Sequence, residues 1–213
     1  MTPDRIISLF DCPVGVGVSD PRRPSGFLYP EEMTHVTQAV PKRRMEFTAG
    51  RTAAREALSA LGGPLVPILP DADRVPQWPR GYAGSITHCD DLCLAVVTRA
   101  ARGLGLDVED DSDLPEDLWD EILLPEERTA VQAAQHPGQM AKLVFSAKEA
   151  AYKAQFPISR TLYGFHDMQV TWDRAGQFVA RFRISAGPFR PGNALDGRFA
   201  IDSGHIVTAV TLA

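Results

Sequence analysis

The chain has 213 residues, of which 44% are hydrophobic and 23% charged, so it can bury a core as one large domain or as two small lobes. Its formal charge of −5 excludes a general nucleic-acid binder, whose phosphate affinity rests on a concentrated basic surface. No apolar run approaches the ~20 residues that cross a bilayer, and the opening MTPDRIISLFDCPVG lacks the basic start and long apolar core of a signal peptide, so no membrane partner is expected.

Residues 5–18 read as strand and turns. From Tyr29 a helix is expected, broken at Pro41 and followed by a longer helix that stops at Gly62 and Gly63, with Phe47, Ala54, Leu58 and Leu61 as its core stripe. Residues 63–83 carry Pro64, Pro67, Pro70, Pro76 and Pro79 and read as a loop that packs on the body through Trp78 and Tyr82. GSITH, LCLAVVTRA and GLGLDVE read as adjacent strands of one sheet, and acidic helices follow near 115–134. After a helix holding FSAKEAAYK, the segments DMQVTWD, QFVARFRIS, GRFAIDS and HIVTAVTLA alternate as antiparallel strands. Helix then sheet occurs twice, which predicts an α+β pseudo-dimer of two similar lobes, 1–105 and 106–213, with a ligand cleft between them.

Cys12, Cys89 and Cys93 show no CxxC or Cys/His ligand spacing. Neither a disulfide framework nor a zinc site is indicated, and a reducing cytoplasm is the simplest home.

Asp107 and Glu109 share one face of their strand, since side-chain direction has period two. Alternate acids are common on a solvated strand face, but Leu104 and Leu106 alternate here with Gly103 and Gly105, which marks a covered strand whose polar end emerges at a cleft. Like charges there need a cation, and an oxygen-only shell with open positions suits Mg²⁺ beside a phosphate. Glu149 can supply a third carboxylate. As a solvated helix pair Glu149 and Lys153 are worth only ~0.2–0.5 kcal/mol. Yet Phe145, Ala147, Ala150, Ala151, Tyr152 and Phe156 leave these charges little solvent face, so Glu149 is expected at the metal and Lys148 and Lys153 at the anion it holds. Ser85, Thr87 and His88 stand at a strand end, suited to phosphate oxygens, with a structural hydrogen-bonding role as the alternative for His88. Arg43, Arg51 and Arg55 lie near one helical face, with Arg44 beside them, as either a solvated basic face or a phosphate fork. No GxxxxGK[ST] or GxGxxG occurs, so neither a P-loop nor a Rossmann fingerprint accounts for phosphate chemistry.

Together these segments resemble the 4′-phosphopantetheinyl transferases, in particular the large single-chain class that serves polyketide and non-ribosomal peptide synthases and siderophore assembly lines. GSITH, GLGLDVE and FSAKEAAYK match that family's three signature segments in order and spacing, and RRMEFTAGRTAAREAL and VPQWPRGYAGS look like flanking segments of its actinobacterial and enterobactin-type members. The resemblance implies transfer of the phosphopantetheine arm of coenzyme A to a serine of an apo acyl or peptidyl carrier protein, releasing adenosine 3′,5′-bisphosphate. It implies that Asp107, Glu109 and Glu149 hold Mg²⁺, or Mn²⁺, on the coenzyme A diphosphate, that Glu149 takes the serine proton directly or through water, and that Lys153 neutralises the attacked phosphate. It implies contacts to coenzyme A from Arg43, Arg51, Thr87, His88 and Lys148, and adenine contacts along Asp73 to Pro76, with Arg74 among them. Met140 stands where the family usually has a tryptophan, and LPDADRVP lacks the glycine common before its proline. A monomer is expected.

Two rival classes use the same groups: a magnesium-dependent nucleotide or coenzyme A hydrolase, and a non-catalytic coenzyme A-binding homologue, which gives no reason for a base beside the metal. In DLPEDLWDEILLPEE, Leu118 and Ile122 are expected in the core, and Trp119 and Leu123, four apart, as an exposed pair that grips a carrier helix. The resemblance implies an acidic carrier, and the chain is acidic as well, so docking is expected to rest on a local patch.

Overall fold

A computed structural model describes residues 1–213. Its helices are α1 (Pro3–Ile7), α2 (Pro30–Met33), α3 (Pro41–Ala60), α4 (Trp119–Ile122), α5 (Pro125–Gln132) and α6 (Pro137–Ser159). Its strands are β1 (Gly15–Ser19), β2 (Ala83–His88), β3 (Cys93–Thr98), β4 (Gly103–Asp110), β5 (Met168–Trp172), β6 (Gln177–Phe182), β7 (Ala194–Asp202) and β8 (His205–Leu212). One sheet has the order β1-β3-β2 and the other β4-β8-β7-β6-β5, and the change of sheet falls between Thr98 and Gly103. No helix is long and apolar enough to cross a membrane.

Each long helix starts on a proline, where the missing N–H is no loss. After α3 the chain turns at Gly62 with φ 65°, and α6 ends on Arg160 in the left-handed conformation. In β3, Cys93, Ala95 and Val97 pack against Ala53, Ala57 and Leu58 of α3, while Leu94 and Val96 point the other way. There they meet Leu104, Leu106 and Val108 of β4 and Val207 and Ala209 of β8. The two sheets therefore share one apolar layer, and each is covered outside by its own long helix. The opposite face of β4, carrying Gly103, Gly105, Asp107 and Glu109, is left toward α6.

The doubling is clearest where strand meets helix. A Cβ built on Gly15 or Gly17 would lie 2.1 and 1.9 Å from the carbonyl oxygens of Ala57 and Ala53. One built on Gly103 or Gly105 would lie 2.7 and 1.8 Å from those of Ala154 and Ala150. In each lobe two strand glycines two residues apart meet two helix alanines four apart, and the backbones touch.

Three expectations need correction. GSITH and LCLAVVTRA do pair, as β2 and β3, but GLGLDVE hydrogen-bonds along its whole length to β8 instead. β2 reaches β4 only through side chains: Ser85 Oγ accepts from the Leu106 N–H at 3.1 Å and Thr87 Oγ1 from the Val108 N–H at 3.3 Å. Residues 3–7 form a helix, capped by Thr2, whose hydroxyl accepts from the Arg5 N–H. Trp119 and Leu123 are core residues, 4% and 3% exposed, with the indole N–H donating to the Leu114 carbonyl, so they form no docking pair; Leu118, at 38%, is the exposed one. The cause is local: Leu118 ends a 3₁₀ turn over Glu116–Leu118 and α4 is a single turn, so α-helical spacing does not run through the segment.

Candidate active site

Glu149 and Lys153 each precede by one residue the alanines on which the β4 glycines close, so the tight helix–strand contact sets them over Asp107. Lys153 Nζ donates to Asp107 Oδ1 at 2.6 Å and to Thr87 Oγ1 at 3.2 Å, and the Thr87 hydroxyl itself donates to Asp107 Oδ1 at 3.0 Å. Asp107 is buried, and its second oxygen, Oδ2, has no hydrogen-bond partner. Burial, followed by the charge of Asp107, pushes Glu109 up to about 7. Burial also raises Glu149, with Lys153 opposing and Asp107 adding to the rise. An orphaned buried carboxylate oxygen beside two acids whose ionised forms are disfavoured is a site short of positive charge. An all-oxygen donor set of this kind fits a hard divalent cation such as Mg²⁺.

Beside this strand end lies a cavity of about 830 Å³ whose wall includes Arg43, Arg51, Arg74, Pro76, His88 and Lys153. Arg51 is only 6% exposed, rests its guanidinium 4.0 Å from the centre of the Phe47 ring, and leaves Nε unbonded. Burial holds its pKa down to about 10. A buried guanidinium with a free donor is arranged to receive an anion. Arg43 and His88 both approach Glu46, at 3.3 and 3.8 Å, and burial lowers the pKa of His88. In the loop at 70–76, Asp71 Oδ1 accepts the N–H groups of Asp73 and Val75, and Arg74 takes a φ of 67°. Arg160, at the end of α6, holds Asp71 at 2.6 Å and Asp73 at 3.1 Å, tying this loop to the other lobe.

Two expected coenzyme A contacts are otherwise engaged. Lys148 is 3% exposed and spends its three N–H donors on the Ile122 carbonyl, Glu127 and the Phe165 carbonyl at 2.7, 2.7 and 2.9 Å. Thr87 is buried, and its hydroxyl serves Asp107, Val108 and Lys153. Arg55 likewise turns away, to a buried ion pair with Glu32 at 2.9 Å. Sequence reasoning passed over Glu46, Asp71 and Arg160. Glu46 was within reach, three residues after Arg43 on the same helix, whereas Asp71 and Arg160 are 89 residues apart and no local pattern links them.

Family models match along most of the chain: the 4'-phosphopantetheinyl transferase N-terminal domain over residues 31–98 and the 4'-phosphopantetheinyl transferase superfamily over residues 103–208. The chain is 41% identical to the 4'-phosphopantetheinyl transferase Svp of Streptomyces mobaraensis, over 91% of this chain and 82% of that one. It is 39% identical to PptT of Mycobacterium tuberculosis over 86% of this chain and 85% of that one, and 40% identical to enterobactin synthase component D of Salmonella typhimurium over 61% and 55%. With that identity across nearly the whole chain, the two-lobed fold and the acidic strand end facing a basic cavity have one family to account for them: the chain belongs to the 4'-phosphopantetheinyl transferase superfamily.

Proposed function

We propose that the protein transfers the 4′-phosphopantetheine arm of coenzyme A to a serine of apo acyl or peptidyl carrier proteins, releasing adenosine 3′,5′-bisphosphate. The observation that carries the reading is Lys153, which bonds Asp107 at the acidic strand end and also lines the arginine-walled cavity. In this reading Arg43, Arg51 and His88 bind the phosphates that do not react, and Arg74 and Pro76 lie along the adenine. Asp107, Glu109 and Glu149 would hold Mg²⁺, with Mn²⁺ as the alternative, and a cation held there would supply positive charge to the diphosphate oxygens. The carrier serine is a weak nucleophile. Glu149, whose burial raises its proton affinity, takes the hydroxyl proton as the serine oxygen bonds to the β-phosphorus and the bond to the leaving bisphosphate breaks. Such proton transfer is worth about 10²–10⁴ in rate. Lys153 balances charge on the attacked phosphoryl group, where positioning and electrostatics do most of the work. Residues 1–105 supply the coenzyme A contacts and 106–213 the carboxylates, within a monomer working in the cytoplasm.

Mass spectrometry of apo carrier proteins incubated with coenzyme A and Mg²⁺ tests the reading. The expected result is a gain of one phosphopantetheine mass on a serine with the native protein and none with Glu149→Gln. Release of bisphosphate at full rate without any carrier would identify a hydrolase instead.

A further inference from the structure

Side-chain direction along β4 has a second consequence. Asp107 and Glu109 face α6, so Asp110 faces the opposite way, onto the apolar layer shared by the two sheets, in step with Leu104, Leu106 and Val108. Its register partner on β8 is His205, which lies in step with Val207 and Ala209 on that same face. The turn after β2 brings Cys89 and Asp91 to the same end of the layer, with Cys89 packed against it. The donor atoms of Cys89, Asp91, Asp110 and His205 all lie within 4.8 Å of one another. His205 Nδ1 lies 2.9 Å from the Ser203 carbonyl, to which it donates, and Nε2 is the nitrogen turned into the cluster, 2.8 Å from Asp91 Oδ1, to which it donates while no ion is bound.

We propose that Cys89, Asp91, Asp110 and His205 form a binding site for a transition-metal ion of the Zn²⁺ class, separate from the carboxylates facing α6, that clamps the turn between β2 and β3 to β4 and β8. The donor set decides the class of ion. One sulfur, one imidazole nitrogen and two carboxylates make four ligands, the number a closed tetrahedral zinc site requires. A thiolate selects Zn²⁺ or Co²⁺ over Mg²⁺, which suits the all-oxygen set across the strand. The Ser203 carbonyl does for His205 what an outer partner does for a metal-bound imidazole: it holds a proton on Nδ1 and aims Nε2 at the cluster. On binding, Cys89 Sγ and His205 Nε2 each exchange for the metal the proton they direct at Asp91 Oδ1, and both protons leave to solvent. Cys89 and Asp91 belong to the hairpin of one sheet, Asp110 and His205 to the other, so the ion would join the sheets at an end where side chains alone now hold them.

Metal-free protein titrated with Co²⁺ reads the site directly through the sulfur-to-cobalt charge-transfer band in the near ultraviolet. The expected result is a band that saturates at one equivalent, is displaced by Zn²⁺ but not by Mg²⁺, and is lost in Cys89→Ser and His205→Ala. Asp110→Asn, exposed enough to be tolerated, should weaken Co²⁺ binding at least tenfold. Glu149→Gln should leave the band unchanged, since no thiol is among the carboxylates facing α6. Zn²⁺ at a hundredfold excess over its dissociation constant should raise the melting temperature of the native protein by roughly 5–10 °C. Absence of the band at millimolar Co²⁺, or a band that survives Cys89→Ser and so arises from Cys12 or Cys93, overturns the proposal.

Discussion

Lys148→Met separates a structural bolt, the role its contacts give it, from the coenzyme A ligand expected from the sequence. The Lys148 ammonium is 3% exposed and bonded to Glu127 and two carbonyls, and Glu127 in turn accepts the N–H groups of Leu124 at 2.7 Å and Val170 at 2.6 Å. Burial, the main influence on Lys148, lowers its pKa, and the charge of Glu127 is what opposes that. Removing the ammonium leaves a buried carboxylate with only its two backbone donors and two carbonyls with one partner fewer. Breaking a buried pair from one side costs about 3–5 kcal/mol. For a chain of this length that is a drop of roughly 6–20 °C in melting temperature. Adding Glu127→Gln should return part of it, because the uncompensated charge goes while the acceptor oxygen for one backbone N–H stays. Thermal melts and coenzyme A kinetics on the single and double variants decide the matter. A Lys148→Met protein that melts normally but shows a raised KM for coenzyme A would refute the structural assignment.

Gly105→Ala should destabilise by about 1–3 kcal/mol or more, since its Cβ would sit 1.8 Å from the Ala150 carbonyl, and should lower transfer as α6 moves off Asp107; an unchanged melting curve would deny the backbone contact. Arg160→Ala should raise KM for coenzyme A by up to about fivefold with kcat unchanged, because two half-exposed ion pairs hold the loop at 70–76 against the cavity, and a loss confined to kcat would remove that role. Glu109, held near 7 in the folded protein and lower when unfolded, favours folding below its unfolded value and loses that contribution as pH rises toward about 7. Denaturant unfolding of metal-free protein at about pH 5 and pH 8 should therefore show Glu109→Gln gaining stability relative to the native chain at the higher pH, a gain that added Mg²⁺ abolishes; no gain would mean Glu109 ionises freely, and a gain at the lower pH that folding favours its charged form.

The sequence carried the elements and the acids but not their surroundings. Period-two alternation in GLGLDVED set Asp107 and Glu109 on one face, and the structure keeps them there. It also set Asp110 on the other, yet Cys89, Asp91 and His205 approach it from segments up to 95 residues distant, with no ligand spacing to betray the cluster. Lys148 and Thr87 were legible as polar groups near the site, but whether a polar group faces ligand or protein depends on partners such as Glu127 and Val108 that only the fold brings up. The Trp119 face was misread because helical spacing holds only while the helix does, and α4 is one turn long.

The repeat explains why one molecule with two like lobes has a single acidic site. Matching Ala53 and Ala57 with Ala150 and Ala154 sets Thr52 opposite Glu149 and Glu56 opposite Lys153, while Gly17 opposite Gly105 sets Ser19 opposite Asp107. The first lobe thus has no acid on its strand, and it has an acid where the second has its lysine. Glu56 is taken by the Val18 N–H at 2.9 Å and Thr52 by the Thr48 carbonyl at 2.8 Å, both within the first lobe. The same matching sets Arg51 opposite Lys148, and both are buried cations. Lys148 has all its donors satisfied by its own lobe, whereas Arg51 keeps Nε unbonded beside a cavity into which the second lobe sends Lys153. A buried cation costs stability unless something negative meets it. In the second lobe Glu127 meets it; in the first no carboxylate does so at hydrogen-bonding distance, and on the proposed function a phosphate of coenzyme A takes that place.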